Sequence, residues 1–366
     1  MANDTAPQAP PFCPDPRCDF HRPGAPGWRY RRAGTHSRLA APHRVQRYRC
    51  GHCGRGFSDQ TFRTTYWLKR PDLLTPVLHR LLGCSAFRQI ARESGVSPQT
   101  VLTHAARLGR HCLLFHQLHR PPGPVTEPLA LDSFQSFEWS QYHPTLFHTL
   151  VGSESHFCHG FTDSELRRSG RMTDAQRGRR RRLEATLGTP DPRSIEIEVA
   201  RLLAIALPEP QTVVLHTDEH QDYPRALRRL EGHRFEHRTV SSRAARTPRN
   251  PLFPINLLDL LIRHCGANHK RETIACSRRR QSAAERLWLF VVWRNHMKHF
   301  SENRREGSPA MRLGLAQRLL SPARLLARRL FPSHVPLPER WADYYWRRVP
   351  TRAIARCAIH RRVFAM

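Results

Sequence analysis

Between residues 129 and 266 the apolar residues fall into a succession that restricts the fold more than any other feature of the chain. Three short strand-like runs come first, at 129–134, 147–151 and 157–161. An amphipathic helix follows at 194–206, with Ile195, Ile197, Val199, Leu202 and Leu203 separated by Glu196 and Glu198. A strand at 211–218, another at 235–241 and a helix at 254–266 complete the order. Strands and helices in this alternation imply a sheet covered by helices. Three aspartates sit at telling places in it. Asp132 ends the run Pro-Leu-Ala-Leu-Asp, Asp218 ends Val-Val-Leu-His-Thr-Asp, and Asp259 lies inside the helical Pro-Ile-Asn-Leu-Leu-Asp-Leu-Leu-Ile-Arg. Carboxylates supplied by two strand ends and one helix face can converge on a pair of divalent cations, the arrangement that phosphodiester chemistry uses.

Three strands, helix, strand, strand, helix is the order of a ribonuclease-H-like mixed sheet with flanking helices. Another alternating α/β domain also satisfies the pattern. Within this region, residues 164–190 are rich in Arg and Gly and read as an exposed basic insertion. A Pro-rich break at 121–128 separates the region from what precedes it, and proline stiffens such a linker.

The formal net charge of +30 points to a polyanionic partner, because basic side chains displace the counterions condensed on phosphates. A structural RNA-binding protein is the blander alternative. The basic residues are nearly all arginine, with lysine only at 69, 270 and 298. No apolar run reaches the ~18 residues of a membrane span, and no secretory signal is evident, so the expected location is cytoplasmic and nucleoid-associated.

Four of the ten cysteines are grouped near the N-terminus as Cys13-x4-Cys18 and Cys50-x2-Cys53; the others are scattered singly. Two pairs with a long spacer can place four thiolates tetrahedrally on a structural Zn²⁺. Buried free thiols, or substitution by His21, His43 or His52, are the alternatives. A ribbon of roughly 50 residues has too small a core to fold alone, so the metal would supply its stability.

Residues 85–109 read as a helix-turn-helix. Phe87, Ile90 and Ala91 share one helical face, Gly95 permits a left-handed turn, Ser97 caps a second helix and Pro98 suits its first position. Val101, Leu102 and Leu108 supply the inner side of the second helix. Arg88 on the first helix, with Gln99, Thr100, Thr103, His104 and Arg107 on the second, would then face DNA in the major groove. A plain helical hairpin is the alternative.

With these modules in order, the chain resembles bacterial insertion-sequence transposases of the DDE class, of the group that carries an N-terminal zinc ribbon and helix-turn-helix (insertion-sequence-one-like). The phrases that carry the resemblance are Tyr-Arg-Cys-Gly-His-Cys-Gly-Arg-Gly-Phe-Ser (48–58), the Arg-Gln-Ile-Ala and Val-Ser-Pro-Gln-Thr-Val helix pair, Leu-Asp-Ser-Phe-Gln-Ser-Phe-Glu (131–138), His-Thr-Asp-Glu-His-Gln-Asp-Tyr (216–223) and Arg-Glu-Thr-Ile-Ala-Cys-Ser-Arg-Arg (271–279). It covers about residues 13 to 300. It implies a multidomain α/β protein: zinc ribbon 1–65, helix-turn-helix 66–120, ribonuclease-H-like catalytic domain 121–300 and basic helical extension 301–366.

The resemblance also implies a DNA transposase that binds insertion-sequence ends, cleaves a 3′ phosphodiester and transfers the strand, using two Mg²⁺ or Mn²⁺ ions. Its partners would be double-stranded DNA, as transposon ends and target, and further copies of itself. Asp132 and Asp218 match the first two acids of the family's triad, with His216 and Tyr223 flanking the second. The family's helical glutamate falls on Asn256, and Asp259 stands one turn later on the same face. Asp259 is the assigned third acid, with Glu272 and Glu285 as alternatives. The other possibility is that the site is damaged and the chain is a DNA-binding regulator with an inactive nuclease-like half.

Overall fold

The computed structural model describes residues 9–241, 243–271 and 273–354. The chain begins with a small antiparallel ribbon of β1 (Tyr30–Ser37), β2 (Arg44–Cys50) and β3 (Gly56–Ser58). Three helices follow: α1 (Leu74–Leu82), α2 (Phe87–Glu93) and α3 (Pro98–His119). Next come β4 (Leu129–Phe137), β5 (Pro144–Gly152), β6 (Cys158–Glu165), α4 (Asp174–Leu187), α5 (Ser194–Ala206), β7 (Thr212–Thr217), α6 (Asp222–Leu227) and β8 (Arg234–Thr239). The described chain ends through α7 (Phe253–Cys265), α8 (Arg280–Val292), the single turns α9 (Pro309–Arg312) and α10 (Pro322–Leu325), and α11 (Glu339–Trp346). No helix among the described residues is long and apolar enough to cross a membrane.

The main sheet is mixed α/β architecture with strand order β6-β5-β4-β7-β8. β5 runs antiparallel to both neighbours, while β7 is parallel to β4 and β8 to β7. Side-chain alternation assigns the two faces. Leu129 and Leu131 of β4 join Val199, Leu202 and Leu203 of α5 in one apolar cluster. Ala130 and Phe134 join a larger cluster on the other face, with Leu258 and Ile262 of α7 and Leu287 and Trp288 of α8. Asp132 shares the face of Ala130 and Phe134, the one that α7 covers.

That larger core runs across residues 120 and 300 of the chain. It is continuous from Leu73 and Val77 of the front helices, through Leu113 of α3, to Trp341, Tyr344 and Tyr345 of α11. The helix-turn-helix segment and the C-terminal segment are therefore built into the sheet's core rather than tethered to it. α3 is the reason for the first. At 22 residues it is about 33 Å long, and its C-terminal half lies directly on α8. Gly109 makes this approach possible: a Cβ there would sit 2.2 Å from the Glu285 carbonyl oxygen. α11 docks at a second glycine. Gly160 has φ +131°, and a Cβ on it would lie 2.4 Å from the Trp341 ring. The indole N–H of Trp341 donates to the Phe161 carbonyl at 3.0 Å.

The basic insertion contains an ordered helix. Thr173 caps α4, its Oγ1 accepting from the Gln176 N–H at 3.3 Å, and none of the helix's residues is buried.

Because α3 and α8 meet backbone to backbone, Gly109→Ala is expected to lower stability by ~3 kcal/mol or to prevent folding. Denaturant unfolding of the variant, followed by both near-UV and far-UV signals, checks this. A loss confined to the front helices, with the sheet melting as in the wild type, would contradict a shared core.

Candidate functional site

Sheet register brings the first two aspartates together. β4 and β7 pair Leu129 with Leu215 and Ala130 with His216. Continuing that parallel register by two residues sets Asp218 beside Asp132. On the other side of β4, Asp132 pairs with Thr149 of β5. The helix α7 crosses this face and brings Asp259 in over it, where the Asp132 charge acts on it; the Thr149 hydroxyl beside them donates to the Asp132 carbonyl at 3.4 Å. Asp132 is thus the central member of the three. It and Asp259 line an open cleft of about 940 Å³ together with Asn256, Arg246, Arg263, Lys270 and Arg271.

The carboxylates lack compensation. Burial, then the neighbouring Asp218 charge, pushes the Asp132 carboxyl up to about 6, against the Ser133 N–H that donates to its Oδ1 at 2.6 Å. Burial, then Asp132, holds Asp259 well above the ordinary carboxylate range, although Arg263 and Thr149 pull it down. Asp259 Oδ1 is buried and has no hydrogen-bond partner. Two half-buried acids that resist ionising, one with an orphaned oxygen, form a donor set that divalent cations with oxygen ligands would satisfy. The three acids do not, however, crowd as tightly as the thiols described below: among the described residues, only the four cysteines form a group whose ligand atoms all lie within 4.8 Å of one another. Two cations about 3.5–4 Å apart do not require that all acids touch, provided one acid lies between the other two.

A polar chain supports Asp132 from behind. The Ser133 Oγ lies 2.6 Å from His148 Nδ1 and 3.2 Å from the Tyr223 hydroxyl, and His148 Nε2 lies 2.9 Å from Ser164 Oγ. Tyr223 is buried. Burial first, then the charges of Asp132, Asp218 and Asp259, raise its phenol, against the Ser133 hydroxyl that pulls it down. His216, expected beside Asp218, is buried between β4 and β8, where its charged neighbours are Arg238 and Glu236. Ser133 and His148 carried no sequence signal, since a serine and a histidine inside strands read as ordinary polar residues. Arg246 was equally silent, lying in an irregular loop.

The alternatives for the third acid separate as follows. Glu285 is buried on α8 and pairs with Arg347 at 2.9 Å, away from the cleft's lining. Glu272 lies outside the described residues. Asn256, where the resemblance places a glutamate, lines the cleft with Asp259.

In the ribbon, Cys13, Cys18, Cys50 and Cys53 converge as one group, with Cys13 Sγ and Cys53 Sγ 3.5 Å apart. The set can hold a structural metal such as zinc. Burial raises the Cys13 and Cys18 thiols. Burial acts the same way on Cys50, but the Trp28 indole N–H at 3.4 Å and the backbone N–H groups of Cys53 and His52 outweigh it and bring the thiol down to about 6.

The helix-turn-helix residues divide. Ser97 Oγ accepts from the Thr100 N–H at 3.2 Å, capping α3, and Gly95 takes the left-handed turn with φ 61°. Arg88, Gln99 and Thr103 are exposed and Thr100 is half-buried. His104 and Arg107 are corrections to the expected DNA-facing set, since both are buried. His104 bonds the carbonyls of Thr100 and Arg70, each at 2.8 Å, and Arg107 donates to the Thr64 carbonyl at 3.0 Å. They satisfy the backbone that leads into the helices instead of facing outward.

No protein-family model matches this sequence, and no curated protein matches it significantly.

Two outcomes are expected from these sites. Purified protein should carry about one zinc per chain by elemental analysis, and the double variant Cys50→Ser, Cys53→Ser should lose it; unchanged zinc in the variant would remove the ribbon assignment. The second concerns pH. Folded Asp132 titrates near 6 against an ordinary 3.8, so between those values the folded state holds a proton that the unfolded state has released. Stability therefore falls as pH rises through that window and stays lowered at pH 7. Asp259 acts in the same direction. In EDTA, Asp132→Asn should melt roughly 2–4 °C above the wild type at neutral pH and lose that advantage near pH 4. Thermal unfolding across pH measures this, and a variant that melts lower at neutral pH contradicts it.

Proposed function

We propose that this protein is a DNA transposase of the DDE type, which binds the ends of an insertion sequence, cuts a 3′ phosphodiester and joins it to target DNA. The observation that carries the reading is the position of Asp132, beside Asp218 by the β4–β7 register and lining one cleft with Asp259, with Asp132 and Asp259 both held above the ordinary carboxylate range by burial and a neighbouring acid. The strand order β6-β5-β4-β7-β8, with β5 alone running against the rest, supports the same reading, because a ribonuclease-H-like sheet is expected to have that order. Arg246, Arg263, Lys270 and Arg271 around the acids would hold the phosphates of a bound strand.

Asp132, Asp218 and Asp259 would hold two Mg²⁺ or Mn²⁺ ions, which when bound supply a lowered pKa for the attacking water or 3′-hydroxyl and charge stabilisation of the phosphorane-like transition state. The chain's own contribution is positioning. Ser133, His148 and Tyr223 would fix the middle of β4, the strand that carries Asp132. Arg88, Gln99 and Thr103, exposed on the front helices, are the proposed DNA readers, and assembly of several copies on double-stranded DNA is part of the same proposal.

A regulator with an inactive nuclease-like half is the second reading. It is favoured by Asn256 at the glutamate position and by the looser spacing of the acids.

The deciding experiment incubates purified protein with Mg²⁺ or Mn²⁺ and labelled DNA bearing the ends that flank its gene. Asp132→Asn, Asp218→Asn and Asp259→Asn should each lower cleavage and joining about 10³-fold, the worth of ~4 kcal/mol, without weakening DNA binding. Full joining by Asp259→Asn would exclude it as third ligand. If neither the wild type nor Asn256→Glu cuts under these conditions, the regulator reading replaces the enzyme.

A further inference from the structure

The ribbon carries a groove that the nuclease reading does not use. It has a volume of about 1130 Å³ and runs between the β1–β2 sheet and residues 66–69. β1 and β2 pair Arg31 directly with Arg49, and Arg47 lies two residues along β2 on the same face. Like charges opposite each other across strands destabilise a sheet. Here three guanidinium groups share one face, Lys69 stands across from them, and no carboxylate is found among the groove's described lining residues. An anionic polymer laid in the groove would supply the missing compensation.

Charge alone would suit any phosphate backbone. The aromatic group narrows the choice. Trp67 lines the groove with 65% of its surface exposed, held at a left-handed φ of 63° that side-chain-bearing residues seldom adopt. Leu39, wholly exposed, stands on the same groove. In duplex DNA each base has its faces covered by its neighbours, so an exposed indole finds no partner there. An unpaired base offers a free face, and stacking on an aromatic ring between basic residues is the usual means of holding single strands.

We propose that this groove binds an unpaired stretch of DNA strand, with Arg31, Arg47, Arg49 and Lys69 on its phosphates and Trp67 stacked on a base. The inference rests on the reading that the partner is DNA; it does not require that the protein cut it.

Fluorescence anisotropy with the full chain tests it, using two probes of the same arbitrary sequence: a blunt duplex, and that duplex with an unpaired tail of about 8 nucleotides. The tail should tighten binding about tenfold, and Trp67→Ala should abolish the gain while leaving affinity for the blunt duplex within about twofold. Trp67→Phe should keep most of it. Trp67→Gly, which accepts the left-handed backbone without strain, should behave as Trp67→Ala, so that a loss is not put down to misfolding. Equal affinity for the two probes, or equal loss on both in Trp67→Ala, would overturn the proposal. A protein that shows the Trp67-dependent preference yet never cuts DNA would refute the enzyme reading alone. One that cuts but lacks the preference would refute only the groove.

Discussion

Asp163, fully buried in β6, ties α8 and α11 to the sheet. Arg280, at the start of α8, approaches its Oδ2 at 3.0 Å, and Arg340 of α11 donates to its Oδ1 at 2.9 Å, while the Tyr344 hydroxyl also bonds it. The network spreads outward. Arg280 also pairs with Glu165 at 2.8 Å, and its backbone N–H donates to Glu138 at 2.7 Å; Arg340 also pairs with Glu198 of α5 at 3.0 Å. The two arginines outweigh burial and keep Asp163 ionised. A buried network of this kind adds little net stability over apolar packing, but removing one partner strands a charge and costs about 3–5 kcal/mol. Its consequence is positional. It ties α8 and α11 to β6, and α8 in turn receives α3 at Gly109.

The same sheet treats its carboxylates in two opposite ways. Asp163 is matched by cations from its own chain. Asp132 and Asp259, on the α7 side, form no ion pair among the described residues: the Ser133 N–H and the charges of Arg246 and His220 act on the first, Arg263 and Thr149 on the second, and burial outweighs them in both. A fold that can satisfy a buried carboxylate with two arginines and leaves these unsatisfied is storing an electrostatic deficit where a ligand would relieve it. Asn256 and Asp259 are a helical turn apart and both reach the cleft, so a shift of the carboxylate by one turn keeps it on the face that α7 presents to β4.

Much of this was readable in the chain, and the failures share a cause. α5 was legible residue for residue at 194–206 because its apolar spacing is strong and its charged residues fall between. β5 begins at Pro144, three residues before the apolar run, because proline is tolerated as the first residue of a strand. β6 runs on to Glu165 past the apolar stretch; Thr162, Asp163 and Ser164 are polar yet buried, and hydropathy cannot see a residue buried by pairing with arginines more than a hundred positions away. His104 and Arg107 were read as outward-facing for the same reason: their partners are carbonyls of Arg70 and Thr64, invisible to local pattern. Asp218 was legible as a strand-end acid and Asp259 as a helix-face acid, whereas Asp132, read as ending its strand, lies inside β4, which continues to Phe137. Their electrostatic coupling was not, since it depends on the β4–β7 register and the crossing of α7.

In the proposed reading, Asp132 lies between two cation sites completed by Asp218 and Asp259. Diffraction from crystals soaked in Mn²⁺, collected at the manganese edge, tests it most directly, because anomalous scattering locates the ions without reference to activity. The account predicts two peaks in the cleft about 3.5–4 Å apart, both within ligand distance of Asp132, one shared with Asp218 and the other with Asp259. Manganese bound elsewhere with none at Asp132, or a lone ion that Asp259 does not touch, would contradict it.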